Sequence, residues 1–295
     1  MRVLVLGGTG SIGAPVLRRL AARGHEAIVL ARSDASAAAA LRLGAASVLR
    51  GDIAAPGGWV GALPVLDAVV HMACDFAGPM AEVDAGLLDA LLPRLAAQPD
   101  RPRFVYSGGC WLFGATGDAV ATEATPMSPL PAFAWMVPHA GRILGSRAVD
   151  GIVIHPAMVH GDGAGGVFRR FAREAVERPA IRVVGSEAVR WPLVHCDDLA
   201  LLYGLALERA PRGASYIGAA IEGLAVGRIA RAFAHRFGTP DRAPAVISAD
   251  SIALELGPWA HGYALDQRLS GDKARRELGW TPRHLDPEAE IAALP

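Results

Sequence analysis

The sequence predicts a doubly wound α/β fold, a parallel sheet with helices on both faces and a smaller C-terminal lobe, on three observations. Short apolar runs of strand character alternate with alanine- and leucine-rich segments of helical period. A glycine cluster, Gly7 to Gly13, directly follows the first such run. Of the 295 residues, 52% are hydrophobic, enough to bury a sheet on both of its faces.

Taken in order, Val3 to Leu6 is the first strand, four apolar residues in a row before the glycines. Ala14 to Arg23 follows as a helix and Ala27 to Ala31 as the second strand, entered through Gly24-His25. The alanine-rich Ala35 to Ala40 begins a helix. Ser47 to Leu49, Ala68 to Met72, Arg103 to Ser107 and Gly151 to His155 are further strands, with Leu87 to Ala97 a helix between two of them. The first lobe is expected to span 1–160. Residues 193–215 return to it, Leu193 to Ala206 as a strand and a helix capped by Asp197 or Asp198. The smaller lobe takes 161–192 and 216–295, since Gly163, Gly165 and Gly166 open a loop and prolines become frequent toward the end.

Lys plus Arg and Asp plus Glu both total 29, so the net charge is zero, and neither nucleic acid nor an anionic membrane is an expected partner. A small molecule is. No stretch has the roughly 18 uncharged apolar residues of a membrane helix, and the apolar start is too short for a secretory signal. Cys74, Cys110 and Cys196 lie far apart and match no zinc or redox spacing, which suits a reducing cytoplasm. His155, His160, Asp162 and His195 have no recognised ligand spacing either, so no metal is expected.

The segment Gly7-Gly8-Thr9-Gly10-Ser11-Ile12-Gly13 sits between a strand and a helix. Glycines there permit a tight turn, let backbone approach a diphosphate, and let helix pack close on strand, while the helix N-terminus offers free N–H groups. Gly7, Thr9, Gly10, Ser11, Ile12 and Gly13 are thus expected to bind a dinucleotide in a Rossmann arrangement. At the end of the second strand an acidic residue would hold a ribose 2′-hydroxyl, and a basic one a 2′-phosphate. Arg32 and Ser33 stand there, favouring NADP over NAD, although Asp34 is close by and serves equally well as a helix cap. Asp52-Ile53, after the third strand, offers a carboxylate for the adenine amino group or simply a turn aspartate.

With these motifs in place, the chain resembles the extended short-chain dehydrogenase/reductase family, which includes nucleotide-sugar epimerases and dehydratases. The resemblance rests on the glycine loop, Asp52-Ile53, His71-Met72-Ala73-Cys74, the Phe104 to Gly114 strand, His155-Pro156, Val194 to Ala200, and Leu278-Gly279-Trp280-Thr281-Pro282. It implies cofactor contacts at Ala73, Cys74, Pro156 and Met158 as well, and homodimers are frequent in that family. It also implies a tyrosine four residues before a lysine, the lysine lowering the tyrosine pKa for proton exchange. This chain lacks the pair, because Lys273 is its only lysine and no tyrosine stands four residues before it. Matching Gly141 to Leu144 to the family's helix puts Phe133 and Val137 at those two places; a shift by two puts Trp135 and His139 there.

The remaining candidates for proton transfer are Ser107, at the end of the serine-bearing strand, and His139, behind Pro138 at a helix start. Each has a plainer reading, Ser107 closing a strand–loop turn and His139 lying at the surface or cap. Cys110, Trp111, Phe133, Trp135, Val137, His155, His160 and Trp191 complete the expected substrate pocket, and the tryptophans, Trp259 included, suit an apolar substrate unless they are core. The activity implied is NADP-dependent oxidation or reduction of a small, rather apolar alcohol or carbonyl with a non-standard proton donor. A non-redox isomerase, cyclase or lyase, or a non-catalytic NADP(H) sensor, is the alternative.

Overall fold

The computed structural model describes residues 1–161, 165–237 and 242–295. The chain opens with β1 (Arg2–Leu6), α1 (Gly13–Ala22), β2 (Glu26–Ala31), α2 (Asp34–Arg42) and β3 (Ser47–Arg50). Then come β4 (Ala68–His71), α3 (Met80–Ala96), β5 (Arg103–Ser107), α4 (Met136–Leu144), β6 (Asp150–Pro156), β7 (Met158–Gly161), β8 (Gly165–Gly166) and α5 (Phe168–Glu177). The C-terminal part contains β9 (Arg182–Val184), β10 (Arg190–His195), α6 (Cys196–Arg209), β11 (Ala214–Gly218), β12 (Ile221–Ala225), α7 (Val226–Arg236), β13 (Ala245–Ile247), α8 (Ala249–Leu256), α9 (Asp272–Leu278) and α10 (Pro287–Ala292).

Seven strands form one all-parallel sheet in the order β11-β6-β5-β4-β1-β2-β3. Its central strands are buried on both faces, as their uninterrupted apolar runs require: Val3 to Leu6 and Ala68 to Val70 are at most 1% exposed. The strand order reverses between β1 and β4, and outside the carboxyl ends of strands at such a switch point a crevice opens in folds of this kind. A four-stranded sheet, β12-β10-β7-β8, and the pair β13-β9 build the smaller lobe that faces it.

Several expected details differ. The helix expected at Leu87 begins at Met80, directly after Pro79, so its first two turns carry Asp84 onto the buried stripe of Leu87, Leu88 and Leu91. Neither Asp197 nor Asp198 caps α6. The cap is His195, whose Nδ1 accepts the Asp197 N–H, while Asp198 is buried and accepts the Arg283 and His284 backbone N–H groups. Asp34 is likewise not the cap of α2, because Ser33 is, in a reciprocal capping box with Ser36. The segment expected to return to the first lobe is divided: β10 pairs in the four-stranded sheet, and α6 packs against α1 and β5.

Candidate active site

A cleft of about 760 Å³ runs from the glycine loop to the smaller lobe. At one end Gly7, Thr9, Gly10, Ser11, Ile12 and Gly13 form its wall. Gly7 has φ +82°, and a Cβ on Gly13 would lie 1.9 Å from the Gly7 carbonyl oxygen, so the turn closes only with glycine at both places. A Cβ on Gly10 would meet only the Gly7 carbonyl oxygen, at 3.4 Å, so this face of the turn is open toward the cleft. The helix behind it, α1, has neither a side-chain cap nor an acidic residue in its first turn. Its leading amides therefore keep their attraction for an anion, and the turn fits the diphosphate of a dinucleotide.

Beyond the loop the wall consists of Met72 and Cys74 from the end of β4, Gly108 to Leu112 after β5, Phe133 and Met136 entering α4, and Pro156 to Val159 between β6 and β7. Phe76, Trp111, Phe133, Trp259 and Tyr263 make a continuous aromatic patch, with Trp111 stacked on Trp259 at 6.1 Å and edge-on to Tyr263 at 5.7 Å. Arg169 stands at the rim. Among the described residues no histidine, carboxylate or lysine lines this cleft. Cys74 and Cys110 do, but burial pushes both thiols up to about 12, so they remain protonated.

The two residues expected to move protons point elsewhere. Ser107 donates its hydroxyl hydrogen bond toward the His71 carbonyl at 2.8 Å and lies 2.6 Å from the Tyr203 hydroxyl, leaving the backbone of Gly108 and Gly109 on the cleft wall. His139 donates from Nδ1 to Asp84 at 2.6 Å, beneath the wall. Asp84 also accepts from His71 Nε2 at 2.8 Å and the Tyr106 hydroxyl at 3.0 Å. The Ala73 N–H donates to His71 Nδ1, which leaves Nε2 as the protonated nitrogen facing Asp84. Burial pushes the Asp84 carboxyl up, but hydrogen bonds from His71, His139 and Tyr106 more than offset this and hold it below the ordinary carboxylate range.

Of the expected pocket residues, Cys110, Trp111 and Phe133 line the cleft, as do Pro156 and Met158, expected as cofactor contacts. Trp191 is buried behind it, its indole N–H on the Tyr263 carbonyl. Trp135 faces a small side pocket with Ile53, Ala73, Cys74 and Asp84. Val137 packs against the core. His160 is buried against Phe168, with its Nδ1 3.3 Å from Glu290. Asp52 closes a turn by accepting the Ala54 N–H. Arg32 is exposed at the end of β2, 3.6 Å from Asp75, and Arg50 at the end of β3 pairs with Asp34 at 3.0 Å. Asp162 lies outside the described residues.

His155 is buried under Gly108, edge-on to Phe113, with Nδ1 unpartnered among the described residues. Burial pushes its imidazole down to about 4. Because the unfolded ring takes a proton near 6.5 and the folded one only near 4, stability falls as pH drops between those values, by up to about 3 kcal/mol. Chemical denaturation of His155→Leu between about pH 7 and about pH 4.5 is expected to show a flatter loss than the wild type. Equal slopes in the two proteins would remove His155 as the source.

An all-parallel sheet with a glycine-lined cleft at its switch point defines a Rossmann-type α/β protein. The chain belongs to the NAD dependent epimerase/dehydratase family, whose model it matches over residues 3–218. Uncharacterized proteins of Saccharomyces cerevisiae and Schizosaccharomyces pombe are 29% and 26% identical to it, each alignment covering 99% of this chain and 98% and 99% of the relative. Among solved structures, dTDP-glucose 4,6-dehydratase from Streptomyces venezuelae with NAD bound superimposes with a TM-score of 0.83 at 21% identity, over 99% of this chain and 95% of that one. A human epimerase family protein with NADPH gives 0.80 at 21% identity, over 100% and 99%.

Proposed function

We propose that the protein is an NADP-dependent oxidoreductase acting on a small, apolar carbonyl or its alcohol. The observation that carries this reading is the single continuous cleft, with an uncapped helix N-terminus and a glycine turn at one end and an aromatic wall at the other. Gly7 to Gly13 hold the diphosphate, and Pro156 to Met158 border the nicotinamide. When bound, that ring supplies or accepts a hydride. The aromatic patch excludes water and holds the substrate's apolar body. Two arginines, Arg32 and Arg50, end neighbouring strands where the adenosine ribose would lie, and this favours a 2′-phosphate over a bare hydroxyl. The solved relatives carry NAD in one instance and NADPH in the other, so the preference rests on the arginines.

Fluorescence titration is expected to show NADPH binding about tenfold more tightly than NADH, with Arg32→Asp closing most of the gap. Equal affinities in the unmutated protein would overturn the preference. Consumption of NADPH with a panel of apolar ketones tests the reaction, and conversion of substrate with unchanged NADPH absorbance would replace it with a non-redox isomerase or lyase reading.

A further inference from the structure

Three of the four tyrosines use their hydroxyls inside the protein: Tyr106 on Asp84, Tyr203 with Ser107, and Tyr216 on Glu277. Tyr263 differs. It lines the cleft, and its hydroxyl makes no hydrogen bond among the described residues. Its place is fixed from behind, since its carbonyl accepts the Trp191 indole N–H at 3.0 Å and its ring packs edge-on to Trp111 and Trp259, both at 5.7 Å. The Arg170 guanidinium carbon lies 5.4 Å from the ring centroid, and Nη2 of this buried side chain has no hydrogen-bond partner among the described residues. Burial raises the Tyr263 pKa, and the Arg170 charge draws it back. Among the described residues the other titratable side chains on the wall are the two protonated thiols and that of Arg169.

We propose that Tyr263 is the acid of this cleft: its hydroxyl hydrogen-bonds the oxygen of an apolar ketone and passes it a proton as the carbonyl carbon is reduced. The proton step rests on the oxidoreductase reading, whereas the hydrogen bond does not. A reduced nicotinamide nucleotide bound beside it would supply hydride to the carbon; the C=O π pair would then move to oxygen, which would take the phenol proton and become the alcohol hydroxyl. The O–H bonding pair stays on Tyr263 as phenolate, beside the Arg170 charge, until water returns a proton.

Calorimetry with cyclohexanone and methylenecyclohexane, which differ only in oxygen against CH₂, tests this on the wild type and Tyr263→Phe in the presence of NADP. The ratio of ketone to hydrocarbon affinity is expected to be about fivefold higher in the wild type than in Tyr263→Phe, the worth of one neutral hydrogen bond. Tyr263→Phe is expected to bind the hydrocarbon as the wild type does, which also shows the cleft intact, and to bind the ketone about fivefold more weakly. A ratio that the substitution leaves unchanged overturns the proposal. A ratio that falls in Tyr263→Phe without any NADPH consumption by the wild type keeps Tyr263 as the ligand's donor and removes both its role as acid and the oxidoreductase reading.

Discussion

Replacing Gly10 by valine is expected to leave the chain folded and to weaken NADPH binding by about 100-fold or more. The asymmetry comes from geometry. A Cβ at Gly10 meets nothing in the protein closer than 3.4 Å, so the rest of the side chain would extend into the space proposed for the diphosphate. Gly13→Ala should behave differently, because its Cβ would fall 1.9 Å from the Gly7 carbonyl oxygen and the turn itself would have to move. The expected pair of results is therefore an unchanged melting temperature with lost binding for Gly10→Val, and a lowered melting temperature for Gly13→Ala. Undiminished nucleotide affinity in Gly10→Val would mean that the cofactor does not lie on this turn.

The largest effect on stability is expected at Asp84. Its removal strands the N–H groups of His71 and His139 and the Tyr106 hydroxyl in an interior where water cannot replace the lost acceptor. Asp84→Ala should cost about 4 kcal/mol, measured by urea denaturation at neutral pH. The acid response of the wild type follows from the depressed carboxyl. The folded state holds its charge below the pH at which the unfolded one protonates, so this stabilisation is complete above about pH 4 and is lost as pH falls through the lower folded value. That window lies under the one in which His155 acts, so the two residues separate along the pH axis. A cost below about 1 kcal/mol for Asp84→Ala would show that the three donors find other partners.

The sheet and its glycine turn were legible in the sequence because both depend on local rules. Continuous apolar runs mark strands buried on both faces, and glycines at fixed spacing mark a turn that only glycine can make. The substrate end was harder to read. Phe76, Met136, Arg169 and Tyr263 come from four separate segments and meet only because the smaller lobe folds back over the sheet. The Ser107 hydroxyl is taken up by the His71 carbonyl and the Tyr203 hydroxyl, and past the end of β5 the wall is formed by the backbone of Gly108 and Gly109. Asp84 carried a signal that went unread: it stands three and four residues before Leu87 and Leu88, on the stripe that faces inward. His139 was legible as the start of a helix, but its ring direction is set by that carboxylate 55 residues earlier.

All but one of the 29 lysine and arginine residues are arginine, and the exception holds its ammonium on the Ser215 carbonyl and over the Tyr216 ring, at the sheet edge formed by β11. An aldehyde or ketone entering the cleft thus meets no ε-amine with which to condense. Imine formation through a lysine of this cleft is therefore closed, both as a route of catalysis and as a route by which a bound carbonyl could modify the site.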